Sequence, residues 1–237
     1  MANDSTERYF NAPIQLYDGF MVDSSSSLSN VSKYACYEYS LKNKCSFKEA
    51  IGYFNISYGK NTQSDLANPL AIGKQLYEQA PCNSPKVGIG LKLFWQYFKQ
   101  DKSDFEKACL LAFLALKSII QNKPYCKIDN RFILSRMDGK AKSIEDIFLL
   151  SIEVRKFGNE YQLAKIKNEL VLNWGLKHYS RYTRGFYVSF SLQLEDLIFE
   201  AEKRRKSTKD KLQKEAEKKA LAKALKRLNG STTNTRP

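Results

Sequence analysis

The clearest hydrophobic patterns in this chain lie in its second half. Residues 108–116 are apolar almost without interruption, which predicts a central, buried helix over residues 104–121. In residues 160–174 the apolar positions recur three and four residues apart, so that they share one face of a helix. These positions are Leu163, Ile166, Leu170 and Trp174. Both segments are therefore predicted to be helices that pack on a core.

Strand patterns are fewer. The last apolar and polar alternation in the chain predicts a strand with one apolar face, and we expect its Phe186 and Phe190 to point into the core. Together with the residues before it, this strand predicts a β-hairpin over residues 176–192 with a polar tip that contains glycine. A weaker alternation predicts a second strand-like segment over residues 86–93.

The predicted elements follow the same order in both halves of the chain. In the first half they are a short extended segment at 14–16, helices at 28–41, 47–54 and 69–80, and the strand-like segment. In the second half they are helices at 104–121 and 130–137, a helical segment at 144–157, a helix at 160–174 and the hairpin. We therefore predict a mostly α protein with short β-hairpins, built from two units at 12–100 and 101–201.

The positive charge of the chain is concentrated at its C-terminal end. The formal net charge is +14, but residues 1–201 hold 26 Lys and Arg against 21 Asp and Glu, whereas residues 202–237 hold 13 against 4. This last segment is rich in helix-forming Lys, Glu, Ala and Leu, so we predict an exposed, basic, partly helical tail. A folded core does not need this charge, and the commonest use of such an excess is to bind a polyanion.

The cysteines and the N-terminus indicate a reducing compartment. The five cysteines include no CxxC pair, and several lie among apolar residues, so we expect free thiols that pack as small hydrophobes. The N-terminus lacks the basic and apolar regions of a signal peptide, and the longest apolar run is too short to span a bilayer. The tail has no Trp or Phe to insert into a membrane surface. We expect a cytoplasmic protein with no membrane partner.

Signatures of catalysis are sparse. The single histidine, His178, excludes a histidine-rich metal site or a pair of catalytic histidines. None of the motifs GxxxxGK[ST], GxGxxG, GxSxG and HExxH occurs. Asp129 and Asp138 flank a short segment that carries Arg131 and Arg136, which does not resemble a two-metal nuclease site. We expect no enzymatic activity, no metal and no cofactor.

The polar face of the helix predicted at 160–174 indicates nucleic-acid binding. It carries Lys, Gln and Asn residues at positions that can reach base edges: Gln162, Lys165, Asn168 and Asn173. In the major groove, Asn and Gln pair bidentately with adenine, and Lys pairs with guanine. An ordinary solvated helix face is the alternative interpretation.

The hairpin that follows is strongly basic. No acidic residue occurs from Val171 to Gln193, and the first arm and tip carry Lys177, His178, Arg181, Tyr182 and Arg184. Arg and Tyr side chains on a projecting loop enter a narrow minor groove or hold phosphates. An exposed sheet edge is the alternative interpretation, and a lone histidine on a strand is usually structural or a phosphate contact.

The predicted order is a helix, a short helix, a recognition-type helix and a basic hairpin. This order resembles a winged helix-turn-helix. Two such units in tandem resemble the initiator proteins of plasmid and phage replication, which bind repeated origin sites. The resemblance covers residues 12–200 in element order, and its support at the level of residues lies in 159–190. One departure is the long link of residues 140–158, where a compact turn is expected.

The resemblance implies roles for the polar residues of both units. On the recognition helix of the second unit it places Gln162, Lys165, Asn168 and Asn173, and on its wing Arg181, Tyr182 and Arg184. In the first unit it places Lys74 and Gln75 on the helix and Lys86 on the wing. At the start of the tail, residues expected to hold phosphates without reading sequence are Lys203, Arg204, Arg205 and Lys206.

Together these patterns favour sequence-specific binding of duplex DNA by a replication initiator or a transcriptional regulator of a mobile element. Lys165 and Asn168 are expected on base edges, and Arg181 and Arg184 on the backbone or in the minor groove. A second interpretation is a phage or mobile-element interaction protein that binds and inhibits a host nucleic-acid enzyme or a ribonucleoprotein. RNA binding is a third, with a preference for single strands or A-form duplex, and an enzyme is a fourth.

Overall fold

The structure is a computed structural model, and it describes the backbone of residues 7–180 and 185–231. Side chains are described over the same ranges except at residues 204–206 and 224–231. The described chain is mostly helical with a few short antiparallel strands, which confirms the predicted fold class at this coarse level.

In the first half, helices pack around a two-stranded antiparallel sheet. Its elements are β1 (Tyr9–Pro13), a 3-10 helix (Ile14–Tyr17), α1 (Ser24–Asn43), α2 (Phe47–Phe54), α3 (Gln63–Gln79), β2 (Lys86–Gly90) and α4 (Leu91–Lys99). Strand β1 pairs with β2, with Tyr9 opposite Gly90 and Pro13 opposite Lys86. The three helices predicted here are present, and α2 has the predicted bounds.

Both strand predictions in this half are partly wrong. The segment at 14–16 is not extended but lies in the 3-10 helix, because the strand that pairs with β2 comes just before it. The segment predicted over 86–93 leaves the strand at Gly90 and enters α4, which the sequence analysis did not predict. From there the apolar residues recur every three positions, which suits a helix, at Leu91, Phe94 and Tyr97.

Helix α3 begins several residues before Pro69, the residue at which its start was predicted. The reason is a capping box between Thr62 and Asp65. The Thr62 hydroxyl accepts the backbone N–H of Asp65 at 3.3 Å, and the Asp65 carboxylate accepts the backbone N–H of Thr62 at 3.1 Å. These bonds satisfy backbone donors that a helix start leaves free, so the helix begins at Gln63 and Pro69 lies inside it.

In the second half, helices pack around a three-stranded sheet. Its elements are α5 (Asp104–Ile120), β3 (Cys126–Ile128), α6 (Asn130–Met137), a 3-10 helix (Ile147–Leu149), α7 (Ile152–Arg155), α8 (Glu160–Asn173), β4 (Lys177–Tyr179), β5 (Phe186–Ser189) and α9 (Leu194–Ser231). The strands are ordered β3–β5–β4 and both pairs are antiparallel. The predicted hairpin is present as β4 and β5, and β3 is an unpredicted third strand.

The apolar face of the hairpin packs on the core as expected, although its two phenylalanines differ in depth. Phe186 is 6% exposed. Phe190 comes after the last residue of β5 and is half-buried, with its ring centroid 5.3 Å from that of Phe113. The strand ends there because the Ser189 hydroxyl accepts the backbone N–H of Leu192 at 2.9 Å and turns the chain.

Helix α5 lies at the centre of the core, as predicted. Its apolar run is buried, and the helix contacts β2 and the first 3-10 helix on one side and α6 and α8 on the other. The buried apolar residues of both halves form one contiguous cluster. The division of the chain into units at 12–100 and 101–201 stays a prediction.

The five cysteines are free thiols, as the sequence predicts. Cys36 and Cys109 are buried, and burial raises the pKa of each thiol to about 12. These two therefore stay protonated and pack as small hydrophobes. Cys82 departs from the expected burial, since it is exposed.

Residues 140–158 pack on α6 and do not form the helical segment predicted at 144–157. They contain only the second 3-10 helix and the four-residue α7. The buried carboxylate of Asp138 accepts the backbone N–H of Ser151 at 3.2 Å and pairs with Lys140. These contacts hold the segment beside α6, so the unusually long link does not extend along α8.

Over its described residues, which end at Ser231, the C-terminal tail is one continuous helix that is anchored on the sheet at its start. Leu197 and Ala201 are buried, and this end of α9 contacts β4 and β5. The Tyr179 hydroxyl donates to the Glu202 carboxylate at 2.7 Å. The tail was predicted to be only partly helical, whereas α9 runs to Ser231.

Beyond this anchor, α9 leaves the body of the protein. Every side chain from residue 207 to residue 223 is exposed. At 1.5 Å per residue, the helix after Lys203 is about 40 Å long. Within the residues that the structure describes, no helix is long and apolar enough to cross a membrane.

Candidate nucleic-acid interface

Helix α8 is held rigidly by one face. The Asn159 side chain accepts the backbone N–H of Gln162 at 2.9 Å and caps the start of the helix. Three residues of the predicted stripe are buried, namely Leu163, Ile166 and Leu170. The fourth, Trp174, is half-buried against Phe113, with 5.0 Å between ring centroids. The predicted core face of this helix is therefore confirmed.

The opposite side of α8 is open to solvent. Helical geometry places five residues on it, which we call the outer face: Tyr161, Ala164, Lys165, Asn168 and Leu172. All five are exposed. The exposed fraction reaches 69% for Tyr161 and 78% for Leu172. These two residues were missed in the sequence analysis, which considered only polar side chains, although their spacing from Lys165 and Asn168 follows the helical repeat.

The predicted helix contacts do not all lie on this face. Lys165 and Asn168 belong to the outer face, whereas Gln162 and Asn173 lie on the flank of the helix, about a quarter turn away. Gln162 is partly buried there. The Asn173 amide donates to the Glu169 carboxylate at 2.8 Å, so it is already engaged within the helix.

Lys165 is positioned by aromatic rings. Its ammonium lies 5.5 Å from the ring centroid of Phe105 and 5.6 Å from that of Tyr161, within the range of cation–π attraction. Within the described part of the chain, no salt bridge joins it to an acid. The outer face thus presents a cation that is oriented but not neutralised.

The joint between α8 and the hairpin contains two half-buried basic residues, Lys167 and His178. The Lys167 ammonium lies 4.6 Å from the ring centroid of Phe186, and the His178 ring packs edge-on against the same phenylalanine at 4.8 Å. Burial lowers the pKa of both groups, and the positive charge of Lys167 lowers that of His178 further. His178 is therefore neutral near pH 7, and its Nε2 has no hydrogen-bond partner among the described residues. These observations favour the structural interpretation of the lone histidine.

Both strands of the hairpin are described, but its tip lies outside the described residues. Lys177, in β4, is half-buried opposite Ser189. The predicted tip contacts Arg181, Tyr182 and Arg184 fall in residues 181–184, which the structure does not describe. Gly185 has φ +87°, and a Cβ there would lie 2.6 Å from the Ile128 carbonyl oxygen, so only glycine fits where the chain enters β5.

The predicted tail contacts lie on the first exposed turn of α9. Lys203 is exposed, and Arg204, Arg205 and Lys206 lie on the helix with side chains outside the described residues. Further lysines are exposed along the described part of α9: Lys209, Lys211, Lys214, Lys218, Lys219 and Lys223. No salt bridge joins these six to an acid in the described chain.

Two of the three candidate DNA-contacting residues in the first half, Lys74 and Lys86, already form salt bridges. Lys74 is exposed but pairs with Glu78 one turn along α3, with 3.8 Å between the charged atoms, and Gln75 is exposed beside it. Lys86 pairs with Glu38, a carboxylate only 6% exposed. Lys42 also contacts this carboxylate, at 3.0 Å, so the two lysines together neutralise a buried charge that would be destabilising if it were unpaired.

Within residues 7–180 and 185–231, no cluster of His, Cys, Asp and Glu side chains has the proximity needed to hold a metal ion. No known protein family matches this chain, and no match exists among curated proteins or solved structures.

Proposed function

We propose that this chain binds duplex DNA sequence-specifically, as a replication initiator or a transcriptional regulator of a mobile element. The observation that carries the proposal is the outer face of α8, which is exposed, rigidly supported and free of carboxylates. Its Lys165 and Asn168 are of the residue types that pair with guanine and adenine in the major groove. A helix of this kind, followed by a basic hairpin, is the arrangement of a winged helix-turn-helix.

The sheet and the link support this arrangement in the second unit. Strand β5 lies between β3 and β4, so both strands of the hairpin after α8 are fixed to the body. The long link at 140–158 packs on α6 and leaves the outer face of α8 accessible. A tandem arrangement with the first unit is part of the proposal, with α3 in the place of the recognition helix.

Helix α9 is proposed to add affinity without specificity. Its exposed lysines, from Lys203 to Lys223, are spread along about 30 Å of helix, a length that matches several phosphates of a duplex. Lysine side chains at this spacing neutralise phosphates. They offer no amide or aromatic group that could recognise base edges.

Titration of duplex DNA at several salt concentrations tests the proposal. If roughly six phosphates are neutralised, the logarithm of the binding constant should fall with the logarithm of salt concentration with a slope of about −5. A preferred duplex, selected from a random library, should bind more tightly than a scrambled duplex of the same composition. A flat salt response, or equal binding of both duplexes, would contradict sequence-specific binding.

A second candidate function is an interaction protein that binds and inhibits a host nucleic-acid enzyme or a ribonucleoprotein. An exposed apolar patch on residues 147–152 favours it, since Phe148, Leu149 and Ile152 are 73%, 62% and 61% exposed. Under this alternative the purified protein would bind DNA weakly and without sequence preference. Changing Leu149 to Ser would then abolish inhibition of the partner, whereas it should leave DNA binding intact under the first proposal.

A further inference from the structure

The outer face of α8 combines one free amide with apolar side chains on both sides of it. Asn168 lies at its centre, and Ala164 and Leu172 lie one turn before and one turn after it. Leu172 is 78% exposed, and Tyr161 on the same face is 69% exposed. An occupant of this face must therefore offer a polar edge between apolar groups.

Asn168 differs from the other asparagines near α8. Asn159 caps the helix, Asn173 donates to Glu169, and the Asn130 carbonyl oxygen lies 3.5 Å from the Lys167 ammonium. In the described structure the Asn168 side chain makes no hydrogen bond, so both its amide N–H and its carbonyl oxygen point outward unused. One donor beside one acceptor is the pattern that pairs with N7 and the N6 amino group of adenine in the major groove.

The apolar neighbours fit the same base pairs. Thymine is the base that presents an apolar group, its 5-methyl, in the major groove. Leu172 lies four residues from Asn168, about 6 Å along the helix axis, which corresponds to roughly two base-pair steps of 3.4 Å. An adenine opposite Asn168 and a thymine one or two base-pair steps away would therefore contact the Asn168 and Leu172 side chains at the same time.

The charge of the face favours nucleic acid over an apolar protein partner. Lys165 stands beside Asn168 with its ammonium held over two rings, and the nearby Glu169 lies on the flank, engaged by Asn173. The chain after the helix contains no acid until Glu195. A phosphate backbone complements this charge, whereas a purely apolar partner would leave Lys165 without a counterion.

Resting on the proposed function, we infer that α8 selects an A·T-containing core sequence, in which Asn168 pairs with adenine and Leu172 contacts the methyl group of a neighbouring thymine. The lysine beside them reads or neutralises the flank of this core. Specificity for the A·T pairs of this core thus comes from Asn168 and Leu172, and Leu172 is its specificity-determining apolar contact.

Base analogues in the preferred duplex test this inference. Replacing thymine by uracil removes only the methyl group, and about fourfold weaker binding is expected from the loss of one buried methyl. Replacing adenine by 7-deazaadenine removes the N7 acceptor, and roughly five- to 150-fold weaker binding is expected from the loss of a bidentate pair. Each substitution is made at one position at a time, so that the responsive base pairs are located.

Variants assign these effects to side chains. Leu172→Ala should bind the thymine and uracil duplexes equally, and Asn168→Ala should bind the adenine and 7-deazaadenine duplexes equally. Both side chains are exposed, so neither change should disturb the fold. Val171→Ala is the matched control, because Val171 is 40% exposed on the same helix but off the outer face, and it should keep both sensitivities.

The outcomes separate the inference from the function on which it rests. If the wild-type chain binds no duplex, the proposed function is wrong. If it binds a preferred duplex with steep salt dependence but ignores both analogues, the function stands and the A·T inference is overturned. If the analogues weaken binding equally in wild type and in both variants, other residues read these bases and the assignment to Asn168 and Leu172 is wrong.

Discussion

Helices α3 and α8 hold the same place in the order of their two halves, but their exposed surfaces differ. On α3, Lys74 pairs with Glu78, and Tyr77 packs against Tyr34 and Tyr37 with ring centroids 5.8 and 5.5 Å apart. On α8, Lys165 and Asn168 are exposed without an acid or amide partner in the described chain. The same order of elements thus leaves Lys74 of α3 paired with an acid, and Lys165 of α8 without one in the described chain.

The strands that follow the two helices differ in the same way. Strand β2 runs directly into α4, and its Lys86 is bound to the buried Glu38. Strand β4 runs instead into a tip rich in arginine before β5 returns to the sheet. The comparison teaches that Lys86 neutralises a buried carboxylate of its own half, whereas Lys177 of β4 forms no salt bridge in the described chain.

The largest expected effect is a loss of folding stability. It tests whether the core of the first half is packed more deeply than the hairpin of the second half. Phe10 is fully buried, with its ring centroid 4.7 Å from Phe54 and 4.6 Å from Phe94. Phe10→Ala should lower the free energy of unfolding by roughly 3 to 5 kcal/mol, as for other buried phenylalanines. Phe190→Ala should cost about half as much, because Phe190 is half-buried. Urea denaturation measures both, and equal losses would show that the hairpin is as deeply packed as β1.

Next in size is the effect of the two helix surfaces on specific binding. The double variant Lys165→Ala/Asn168→Ala should weaken binding to the preferred duplex by roughly 1 to 3 kcal/mol per lost bidentate contact, and should leave the scrambled duplex unaffected. The matched variant Lys74→Ala/Gln75→Ala should change specific binding far less, because Lys74 is already paired. Fluorescence anisotropy titrations compare the two. If the two double variants lost the same specific binding affinity, both halves would recognise the DNA sequence, and the proposed difference between α3 and α8 would be wrong.

Removal of residues 203–237 should have a smaller effect that does not depend on sequence. The truncation keeps the buried anchor at Leu197 and Ala201, so the body should remain folded. Binding to preferred and scrambled duplexes should weaken by the same factor, and the salt slope should become shallower as phosphate contacts are lost. A selective loss on the preferred duplex would place base readout in the tail.

The smallest expected effect concerns pH and the joint between α8 and the hairpin. Because burial and Lys167 lower the pKa of His178 in the folded chain, the unfolded chain takes up this proton first as the pH falls. Stability should therefore decrease below about pH 6.5, the ordinary pKa of histidine. His178→Phe should flatten the change in melting temperature between pH 7.5 and pH 5.5. As this is the chain's single histidine, an unchanged profile would assign the pH dependence to carboxylates.

Much of the fold follows from local signals in the sequence. Helices α2 and α6 have the predicted bounds because a capping residue, Ser46 or Asp129, precedes each first turn and accepts a backbone N–H. The helical segment predicted at 144–157 fails for a related reason. Its apolar residues are spaced as in a helix, but Asp146 and Ser151 each cap a separate short turn and divide the segment.

Tertiary contacts decide what local signals leave open. Strand β3 has only three residues and little alternation, and it exists because β5 offers it a pairing edge. At the candidate site, periodicity identified Lys165 and Asn168 correctly as outer-face residues. It did not separate them from Gln162 and Asn173, whose position on the flank depends on how α8 is rotated against the core.

The length of α9 has a consequence for how the two basic surfaces combine. At physiological ionic strength the field of a charge decays over a Debye length of about 8 Å, so the distal end of a helix about 40 Å long lies several such lengths from its anchor. Its charges neither repel nor reinforce those of the hairpin there. At 0.01 M salt the Debye length is about 30 Å, and the two surfaces act as a single field. Under the proposed function, the ion concentration of the medium thus decides whether the protein meets DNA as two independent ligands or as one.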